Sequence, residues 1–430
     1  MHTFPPWRIW LVTDVYPPGC GGSGWSTHSL ARVLVNNGHA VEVISLNSRR
    51  SVPVQRTYDG ITVSEVGVWS AYKDPRRRLG SYDYTFHTLS NYLGYRLLRE
   101  PEVDLLHAQH LHSGPPAVLT GRLHGRATVQ TLRDYWPVCL HGTSWWDQTV
   151  CTGCNVKNLQ GCMSEYWGWP RPLARMMVPW ARRRLGSRRH GVKAAHRVLA
   201  VSDSLSCRIK TEFPEFDLSV VPNMVDPAVV EAAAAAAADL TSTLPSRYLL
   251  AAGKLLPTKG FDLLLTALHE VNAQLPLVIA GDGPERRTLE EQAASLNLKV
   301  YSLGWVEHST LLRLQQRAHA VLLPSAWNEP LSRFLLESMA LGTPVIAWAR
   351  GGSTEVIKSS DNGWLVNNPA DLGLALAVLE SSEQRQQMAA AAQATILKSY
   401  SPDVVYTKIA EVYVAAIERA RKDKGKYVTD

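Results

Sequence analysis

Short apolar runs alternate with longer stretches of helical periodicity along the first half of the chain. Residues 9–13 and 41–46 have the composition of strands, and residues 25–35 between them have the period of a helix. Four more apolar runs in this half predict further strands, at 103–108, 127–131, 197–201 and 219–221. Strands that alternate with helices are typical of a parallel sheet, so this half predicts a doubly wound α/β domain.

The same alternation starts again after residue 247 and predicts a second doubly wound domain. Its predicted strands are 248–252, 277–280, 300–303, 321–323 and 345–347, and its predicted helices are 261–274, 285–296, 310–317 and 331–341. The seven alanines at 232–238 predict a helix or a spacer between the two halves, because alanine has the highest helix propensity. A chain of 430 residues is also longer than one hydrophobic core usually organises. We therefore place the domains at 1–224 and 225–400.

Ligands of open parallel sheets bind beyond the carboxyl ends of the strands, so chemistry is expected in the loops that follow strands. The segment 324–344 after the strand at 321–323 contains Glu329 and Glu337. If both belong to one helix, eight residues at 1.5 Å each separate them by roughly 12 Å, which is comparable to the distance between hexose and ribose across a diphosphate. One carboxylate could then meet each sugar of a nucleotide sugar.

The predicted start of this helix supplies a place for the diphosphate. Pro330 suits the first turn of a helix, which puts Glu329 at its mouth. The backbone amides of Leu331 and Ser332 would then be unpaired and would point towards an anion in front of the helix.

Glu329 and Glu337, with seven residues between them and Met-Ala-Leu-Gly-Thr-Pro-Val after them, resemble the signature of family 4 retaining glycosyltransferases. Supporting segments that resemble this family occur at 222–226, 253–260, 281–284 and 400–402. The resemblance implies the GT-B fold, in which two Rossmann-like domains face each other across a cleft. The first domain would bind the acceptor and the second the donor, and a helix at 401–430 would pack back on the first domain.

The resemblance also implies roles for individual residues. Lys254 and Lys259 would hold the diphosphate, which suits compact positive charges beside a phosphate leaving group. Glu337 would bind the ribose and Glu329 the donor sugar, since carboxylates accept hydrogen bonds from hydroxyl groups. The implied catalytic residues are Glu329, Lys259 and Lys254. The implied donor-binding residues are Gly21, Gly22, Lys254, Lys259, Gly281, Asp282, Glu329, Leu331, Ser332 and Glu337.

The implied reaction is transfer of a hexose from a nucleotide sugar to a lipid-linked or saccharide acceptor, with retention at the anomeric carbon. The leaving phosphate would help to deprotonate the acceptor, so no cofactor is required. Synthesis of cell-surface polysaccharide is the typical role in this family. Two alternatives remain: a sugar-nucleotide hydrolase or epimerase of the same fold, and an NADP-dependent oxidoreductase.

The oxidoreductase alternative depends on the glycine-rich loop 19–24, which matches G-x-G-x-x-G, and on Arg49 and Arg50 after the next strand. The spacing argues against it, because five residues separate the strand from the first glycine and no acidic residue ends the second strand. In the transferase interpretation, Gly21 and Gly22 let the backbone approach the donor phosphate. A plain flexible loop is the other interpretation.

The acceptor side is weakly defined by the sequence. Arg133-Asp134 stands where many members of the resembled family have His-Asp, so a catalytic histidine cannot be transferred to this position. Arg133 could bind phosphate or donor, or form a salt bridge with Asp134. His107, His110 and His112 follow a predicted strand and could touch the acceptor, but none of them is assigned to catalysis.

Four cysteines cluster in the segment after the strand at 127–131. Such clustering in a protein expected in the cytosol favours a metal site over disulfides, although free thiols or disulfides are also consistent with it. A structural zinc ion is the first interpretation and an iron–sulfur cluster the second. The residues concerned are Cys139, Cys151, Cys154 and Cys162.

One basic segment accounts for the net charge of +7. Residues 166–202 contain nine Lys or Arg and no Asp or Glu, interleaved with Trp and Met, which are the residue types of a helix at a membrane interface. Most of this segment lies within a cysteine-rich and basic insertion at about 139–197 of the first domain. We expect a cytoplasmic protein that binds the anionic inner face of a membrane and not nucleic acid, because nucleic-acid binding leaves the two glutamates and two lysines without a role. A solvated basic face is the alternative.

Overall fold

The computed structural model describes residues 4–47, 52–68, 78–237 and 244–428. The chain divides into two compact units. The first contains Met1–Trp146, Cys151–Pro222 and Val405–Asp430, and the second contains Asp147–Val150 and Asn223–Val404. Arg49 and Arg50, on which the oxidoreductase interpretation partly depends, lie outside the described residues.

The first unit is built on an eight-stranded sheet with the order β10-β9-β6-β5-β1-β2-β4-β3. All neighbouring strands pair in parallel except β3 and β4. The strands up to residue 222 are β1 (Arg8–Thr13), β2 (Ala40–Asn47), β3 (Val54–Tyr58), β4 (Ile61–Gly67), β5 (Leu105–Ala108), β6 (Ala127–Leu132), the two short strands β7 (Trp145–Trp146) and β8 (Thr149–Val150) outside this sheet, β9 (Arg197–Ala200) and β10 (Leu218–Val220).

Seven helices lie between these strands in the described part of the first unit. They are α1 (Gly22–Asn36), α2 (Arg78–Arg99), α3 (Gly114–Leu123), α4 (Val156–Trp167), α5 (Arg171–Met176), α6 (Val178–Lys193) and α7 (Asp203–Glu212). Every residue of β5 and β6 is buried, as is typical of central strands in a parallel sheet that is covered on both faces. The hairpin of β3 and β4 was not predicted from the sequence. Its signal was the pair Asp59-Gly60, which adopts positive φ angles of 51° and 73° in the two-residue turn.

The second unit is built on a six-stranded, fully parallel sheet with the order β13-β12-β11-β14-β15-β16. Its strands are β11 (Leu249–Ala252), β12 (Leu277–Ala280), β13 (Val300–Gly304), β14 (Ala320–Leu323), β15 (Val345–Trp348) and β16 (Trp364–Val366). Its helices are α8 (Pro227–Ala236), α9 (Phe261–Glu270), α10 (Arg286–Ser295), α11 (His308–Arg317), α12 (Arg333–Ala340), α13 (Ser353–Val356), α14 (Pro369–Val378) and α15 (Ser382–Ser399), with a 3-10 turn at Pro257–Lys259.

The last helix, α16 (Pro402–Val428), joins the first unit from Val405 onwards. The hydroxyl group of its Tyr406 lies 2.9 Å from Nε2 of His39, and the hydroxyl group of Tyr413 lies 2.7 Å from Nδ1 of His107. Tyr413 is fully buried, so the helix completes the core of the first unit, as the resemblance implied. In the ranges that the structure describes, the helices lack the combination of length and apolarity needed to cross a membrane.

Candidate functional site

Glu329 lies in the loop between β14 and α12, and both of its carboxylate oxygens are paired. Nζ of Lys259 donates to Oε1 at 2.8 Å, and the hydroxyl group of Ser325 donates to Oε2 at 2.6 Å. Burial raises the pKa of Glu329, but the charge of Lys259 and the two hydrogen bonds outweigh it, so the net pKa is below its usual range. The structure therefore brings the predicted residues Glu329 and Lys259 together as an ionised pair.

Lys259 is held against this loop by the backbone. The carbonyl of Thr258 accepts a hydrogen bond from the amide of Ala326 at 2.9 Å. Gly260 has a φ angle of +67°, and a Cβ atom there would lie 2.2 Å from the carbonyl oxygen of Pro324. Glycine is needed at this position because only its backbone can pass so closely, and this close approach sets Lys259 beside Glu329.

The start of the helix before Glu337 corrects one prediction. The helix α12 begins at Arg333 and not near Pro330, because Ser332 is its N-cap and accepts a hydrogen bond from the amide of Leu335 at 3.4 Å. Leu331 and Ser332 thus precede the helix, and their amides are not those of its first turn. The separation of roughly 12 Å, which assumed one continuous helix, does not apply to this arrangement.

Two glycines that the sequence analysis did not single out support the loop from the other side. The amide of Gly352 donates to the carbonyl of Glu329 at 2.8 Å. A Cβ atom on Gly351 would lie 2.3 Å from that carbonyl oxygen, and one on Gly352 would lie 1.9 Å from the carbonyl oxygen of Pro330. The adjacent glycines after a predicted strand were the available signal for this close packing.

Glu337 is buried on α12, with 4% of its side chain exposed. Its Oε1 accepts hydrogen bonds from Nε2 of His308 at 2.8 Å and from Nε of Arg333 at 2.6 Å. Burial raises the pKa of Glu337, but these two partners outweigh it and the net pKa is below its usual range. Its Oε2 has no hydrogen-bond partner among the described residues, so one oxygen is fixed and the other can accept a hydrogen bond from a ligand.

The two residues that hold Glu337 were missed by the sequence analysis. Arg333 lies four residues before Glu337, a spacing that predicts contact on a helix, whereas His308 comes from α11 and has no local signal. Nη1 of Arg333 also donates to the carbonyl of Met224 at 3.3 Å, and Nδ2 of Asn223 donates to the carbonyl of Leu331 at 3.3 Å. The predicted segment 222–226 is therefore fastened to the chain around α12.

The loops after β11 and β12 lie backbone to backbone. The amide of Leu255 donates to the carbonyl of Asp282 at 3.0 Å. Gly281 has a φ angle of +150°, and a Cβ atom there would lie 1.9 Å from the carbonyl oxygen of Gly253. Lys254 stands exposed on the first of these loops and, among the described residues, makes no ion pair with either glutamate. Lys254 is thus placed after a strand, as predicted, but not joined to Glu329.

In the first unit, Gly21 is the N-cap of α1 and Gly22 is its first residue. A Cβ atom on Gly21 would meet nothing within 4 Å, whereas one on Gly24 would lie 2.4 Å from Sγ of Cys20. Glycine is therefore required by packing at Gly24, while the space in front of Gly21 is open.

His107 does not fit the expected acceptor side. It lies within β5, is fully buried, and uses both ring nitrogens: Nδ1 with Tyr413, and Nε2 with the hydroxyl group of Thr131 at 2.7 Å. Burial, followed by the charge of Arg133, lowers its pKa to about 3. The prediction for His107 is corrected accordingly, because a neutral core histidine with both nitrogens occupied has none left for a ligand.

The other predicted residues of the acceptor side lie near the carboxyl ends of β1, β5 and β6. Nδ1 of His110 lies 3.0 Å from the hydroxyl group of Thr13, and burial lowers the pKa of His110 to about 4. Arg133 donates through Nη2 to Oε1 of Gln109 at 2.6 Å. Asp134 accepts a hydrogen bond from the amide of Trp136 at 2.8 Å, and burial raises its pKa to about 7.

The four clustered cysteines are all free thiols. Burial first, and then the neighbouring Cys139 and Cys151, raise the pKa of Cys154 to about 12. Within the described ranges, however, no three Cys, His, Asp or Glu side chains are arranged to hold a metal ion. As placed, Cys139, Cys151, Cys154 and Cys162 do not form a zinc or iron–sulfur site, and metal binding stays a prediction.

Only part of the basic segment is exposed. Arg188 is buried and donates through Nη1 to the carbonyl groups of Trp136, Cys139 and Leu140, and Lys193 pairs with Glu215 at 2.5 Å. Met176 on α5 is 70% exposed. The exposed arginines of α5 and the first half of α6 are Arg171, Arg175, Arg182 and Arg183.

The chain matches two family models of known proteins. Residues 20–229 match the model of Glycosyltransferase Family 4, and residues 236–395 match that of Glycosyl transferases group 1. The chain is a glycosyltransferase of the GT-B fold. The glutamates, Lys254 and Lys259 all lie in the part that matches the second model.

Relatives and solved structures agree with this assignment. The chain is 26% identical to the glycogen synthase of Mycobacterium tuberculosis over 95% of each chain. It is 34% identical to an uncharacterized glycosyltransferase of Methanocaldococcus jannaschii, over 40% of this chain and 46% of that protein. The structure of Anabaena HepE in complex with UDP-glucose superimposes with a TM-score of 0.66 at 18% identity, covering 95% of this glycosyltransferase and 99% of HepE.

Proposed function

We propose that this glycosyltransferase transfers a hexose from a nucleotide sugar to a lipid-linked or saccharide acceptor, with retention at the anomeric carbon. The observation that carries the proposal is the second unit's pair of ionised glutamates in the loop and helix after β14. Glu329 is paired with Lys259, and Glu337 has one fixed and one open carboxylate oxygen. The complex of HepE with UDP-glucose supports a donor of this class.

Each glutamate has a role that its contacts suit. Oε2 of Glu337 accepts a hydrogen bond from the ribose, while His308 and Arg333 keep the carboxylate ionised and oriented. Glu329 accepts hydrogen bonds from the donor sugar, and the loops that carry Gly281, Asp282, Leu331 and Ser332 border the same edge of the sheet. Both carboxylates stay charged at neutral pH because their partners hold the pKa values down.

Lys259 and Lys254 then act on the diphosphate. As the glycosidic bond breaks, its electron pair goes to the bridging phosphate oxygen, and a positive charge nearby stabilises the developing negative charge. The acceptor hydroxyl group attacks the same face of the anomeric carbon and passes its proton to the leaving diphosphate. No glutamate has to act as a covalent nucleophile, and no cofactor takes part in the proposed reaction.

The acceptor reaches the enzyme at a membrane surface. Four exposed arginines and the exposed Met176 on α5 and α6 combine positive charge with an apolar side chain, which suits the anionic inner face of a membrane. This location fits a lipid-linked acceptor and a role in cell-surface polysaccharide synthesis.

Incubating the purified protein with a panel of nucleotide sugars and acceptors tests the proposal. We expect acceptor-dependent release of the nucleoside diphosphate and a product with the anomeric configuration of the donor, measured by nuclear magnetic resonance. Glu329→Ala should lower transfer while the affinity for the bare nucleoside diphosphate stays nearly unchanged. An inverted product, acceptor-independent hydrolysis as the main reaction, or full transfer by Glu329→Ala would contradict it.

A further inference from the structure

A cavity of about 370 Å³ lies in the second unit at the amino ends of three parallel strands. Arg247, His319 and Pro344 line it and come shortly before β11, β14 and β15. Glu329 follows the carboxyl end of β14, so the cavity is at the opposite edge of this sheet from the proposed donor site. Its volume lies in the range that small-molecule sites have in proteins.

Arginine side chains bring positive charge to the cavity. Three arginines line it, namely Arg247, Arg317 and Arg385. Arg247 is paired with the carboxylate of Glu380, since its Nη2 lies 3.0 and 2.8 Å from the two carboxylate oxygens. Nη1 of Arg385 donates to the carbonyl groups of Leu379 and Glu380, whereas its Nε and Nη2 make no hydrogen bond among the described residues. These nitrogens can bind an anion.

His319 is a second observation that points to a ligand. Only 4% of its side chain is exposed, and Nε2 is buried with no hydrogen-bond partner in the part of the chain that the structure describes. The nearest carboxylate oxygen, Oε1 of Glu380, is 3.7 Å away and too far for a hydrogen bond. A buried ring nitrogen without a partner is unfavourable, and a ligand oxygen in the cavity would satisfy it.

We propose that this cavity is a binding site for a small sugar phosphate. Arginine side chains form paired hydrogen bonds with phosphate oxygens, and the first turn of α15, which begins at Ser382, adds favourable backbone amides. Amide and hydroxyl groups suited to sugar hydroxyls line the same cavity, contributed by Ser246, Gln316, Ser382 and Gln386. The site is distinct from the donor site, so it does not depend on the proposed reaction.

The test measures binding of inorganic phosphate and glucose 6-phosphate to the full chain by isothermal titration calorimetry. Lys259→Ala serves as the background, because it weakens phosphate binding at the donor edge of the sheet. We expect saturable binding that is tighter for glucose 6-phosphate than for inorganic phosphate. Adding Arg385→Gln should weaken it about tenfold or more, because the charged group whose Nε and Nη2 are open to an anion is removed.

Two further variants separate a built site from general attraction. Arg287→Gln removes the same charge from a side chain on α10 that is 90% exposed, and it should leave binding unchanged. His319→Phe keeps an aromatic ring of similar shape without the nitrogen and should weaken binding several-fold. The proposal is overturned by any of three results: no saturable binding up to about 10 mM, unchanged affinity after Arg385→Gln, or an equal loss in Arg287→Gln. Equal affinity for the two probes would overturn the sugar component.

Discussion

Replacing Glu337 by glutamine should abolish recognition of the ribose while leaving the rest of nucleotide binding in place. The side chain is almost isosteric, but the open Oε2 loses its charge, and a hydrogen bond to a charged acceptor contributes about 1.5–3 kcal/mol. This free energy corresponds to a loss of roughly 10- to 150-fold in affinity. Because the ribose contact is present in both the ground state and the transition state, KM should rise while kcat changes little.

The assay compares UDP, the nucleotide in the HepE complexes, with its 2′,3′-dideoxy analogue by calorimetry. The wild type should prefer UDP by the factor given above. Glu337→Gln should bind both compounds with similar affinity, close to the affinity of the wild type for the dideoxy analogue. The difference between the two preferences isolates the interaction of the carboxylate with the ribose hydroxyl groups. Glu291→Gln, at an exposed glutamate on α10, is the matched control and should keep the wild-type preference.

Retention of the preference for UDP in Glu337→Gln would refute the ribose assignment. An equal loss for both compounds would show instead that the substitution disturbs the site as a whole, since Arg333 is 9% exposed and loses a charged partner. The pH dependence of unfolding distinguishes these cases. The folded pKa of Glu337 is lowered, so its stabilising contribution is present above the usual carboxyl range and is lost as the pH falls through the folded pKa. The stability difference between wild type and variant in urea should therefore shrink as the pH falls from about 7 to about 3.

Three other predictions follow from the contacts. Lys259→Ala should lower kcat by roughly 10²-fold or more, because negative charge grows on the leaving diphosphate; an effect confined to KM in steady-state kinetics would contradict this. The protein should sediment with anionic but not with neutral vesicles at low salt, and replacing Arg171, Arg175, Arg182 and Arg183 by glutamine should remove this binding. Equal sedimentation with both kinds of vesicle would exclude charge as the cause. If the four cysteines bind metal, elemental analysis of protein purified without chelator should find one zinc ion or one iron–sulfur cluster per chain. Substoichiometric zinc and iron would show that the cysteines are thiols without a metal.

The sequence predicted the parts of the fold that depend on local periodicity. In the second unit, the predicted strand 277–280 is identical to β12. Both ends of β14 and of β15 lie within one residue of their predicted positions. The predicted helix 261–274 was too long, because Asn272 adopts a positive φ angle of 49° after the end of α9 at Glu270. An apolar residue beyond a helix end extends the pattern without extending the helix, so periodicity alone cannot locate this boundary.

The contacts that set the properties of the site were harder to predict. Glu329 and Lys259 are 70 residues apart, and His308 is 29 residues from Glu337, so no local spacing reveals either pair. The resemblance supplied the first pair through a known motif. It did not supply His308, which lies outside the motif, or Arg333, which lies between its two glutamates. Similarly, the burial of His107 depends on Tyr413 from the far end of the chain, and a short run of histidines after a strand gave no indication of it.

The pairing of Glu329 with Lys259 has a consequence for how the donor would bind. Both side chains are largely buried, with 16% and 25% exposed, and their groups lie 2.8 Å apart. A lysine that already has a carboxylate partner in a partly dry site has lost much of its hydration before the diphosphate arrives. Exchanging one anionic partner for another then costs less than removing water from an isolated ammonium group. The sugar hydroxyl groups can in turn replace Lys259 as the hydrogen-bond donors to Glu329, so the pair is preorganised for a ligand that carries both an anion and hydroxyl groups.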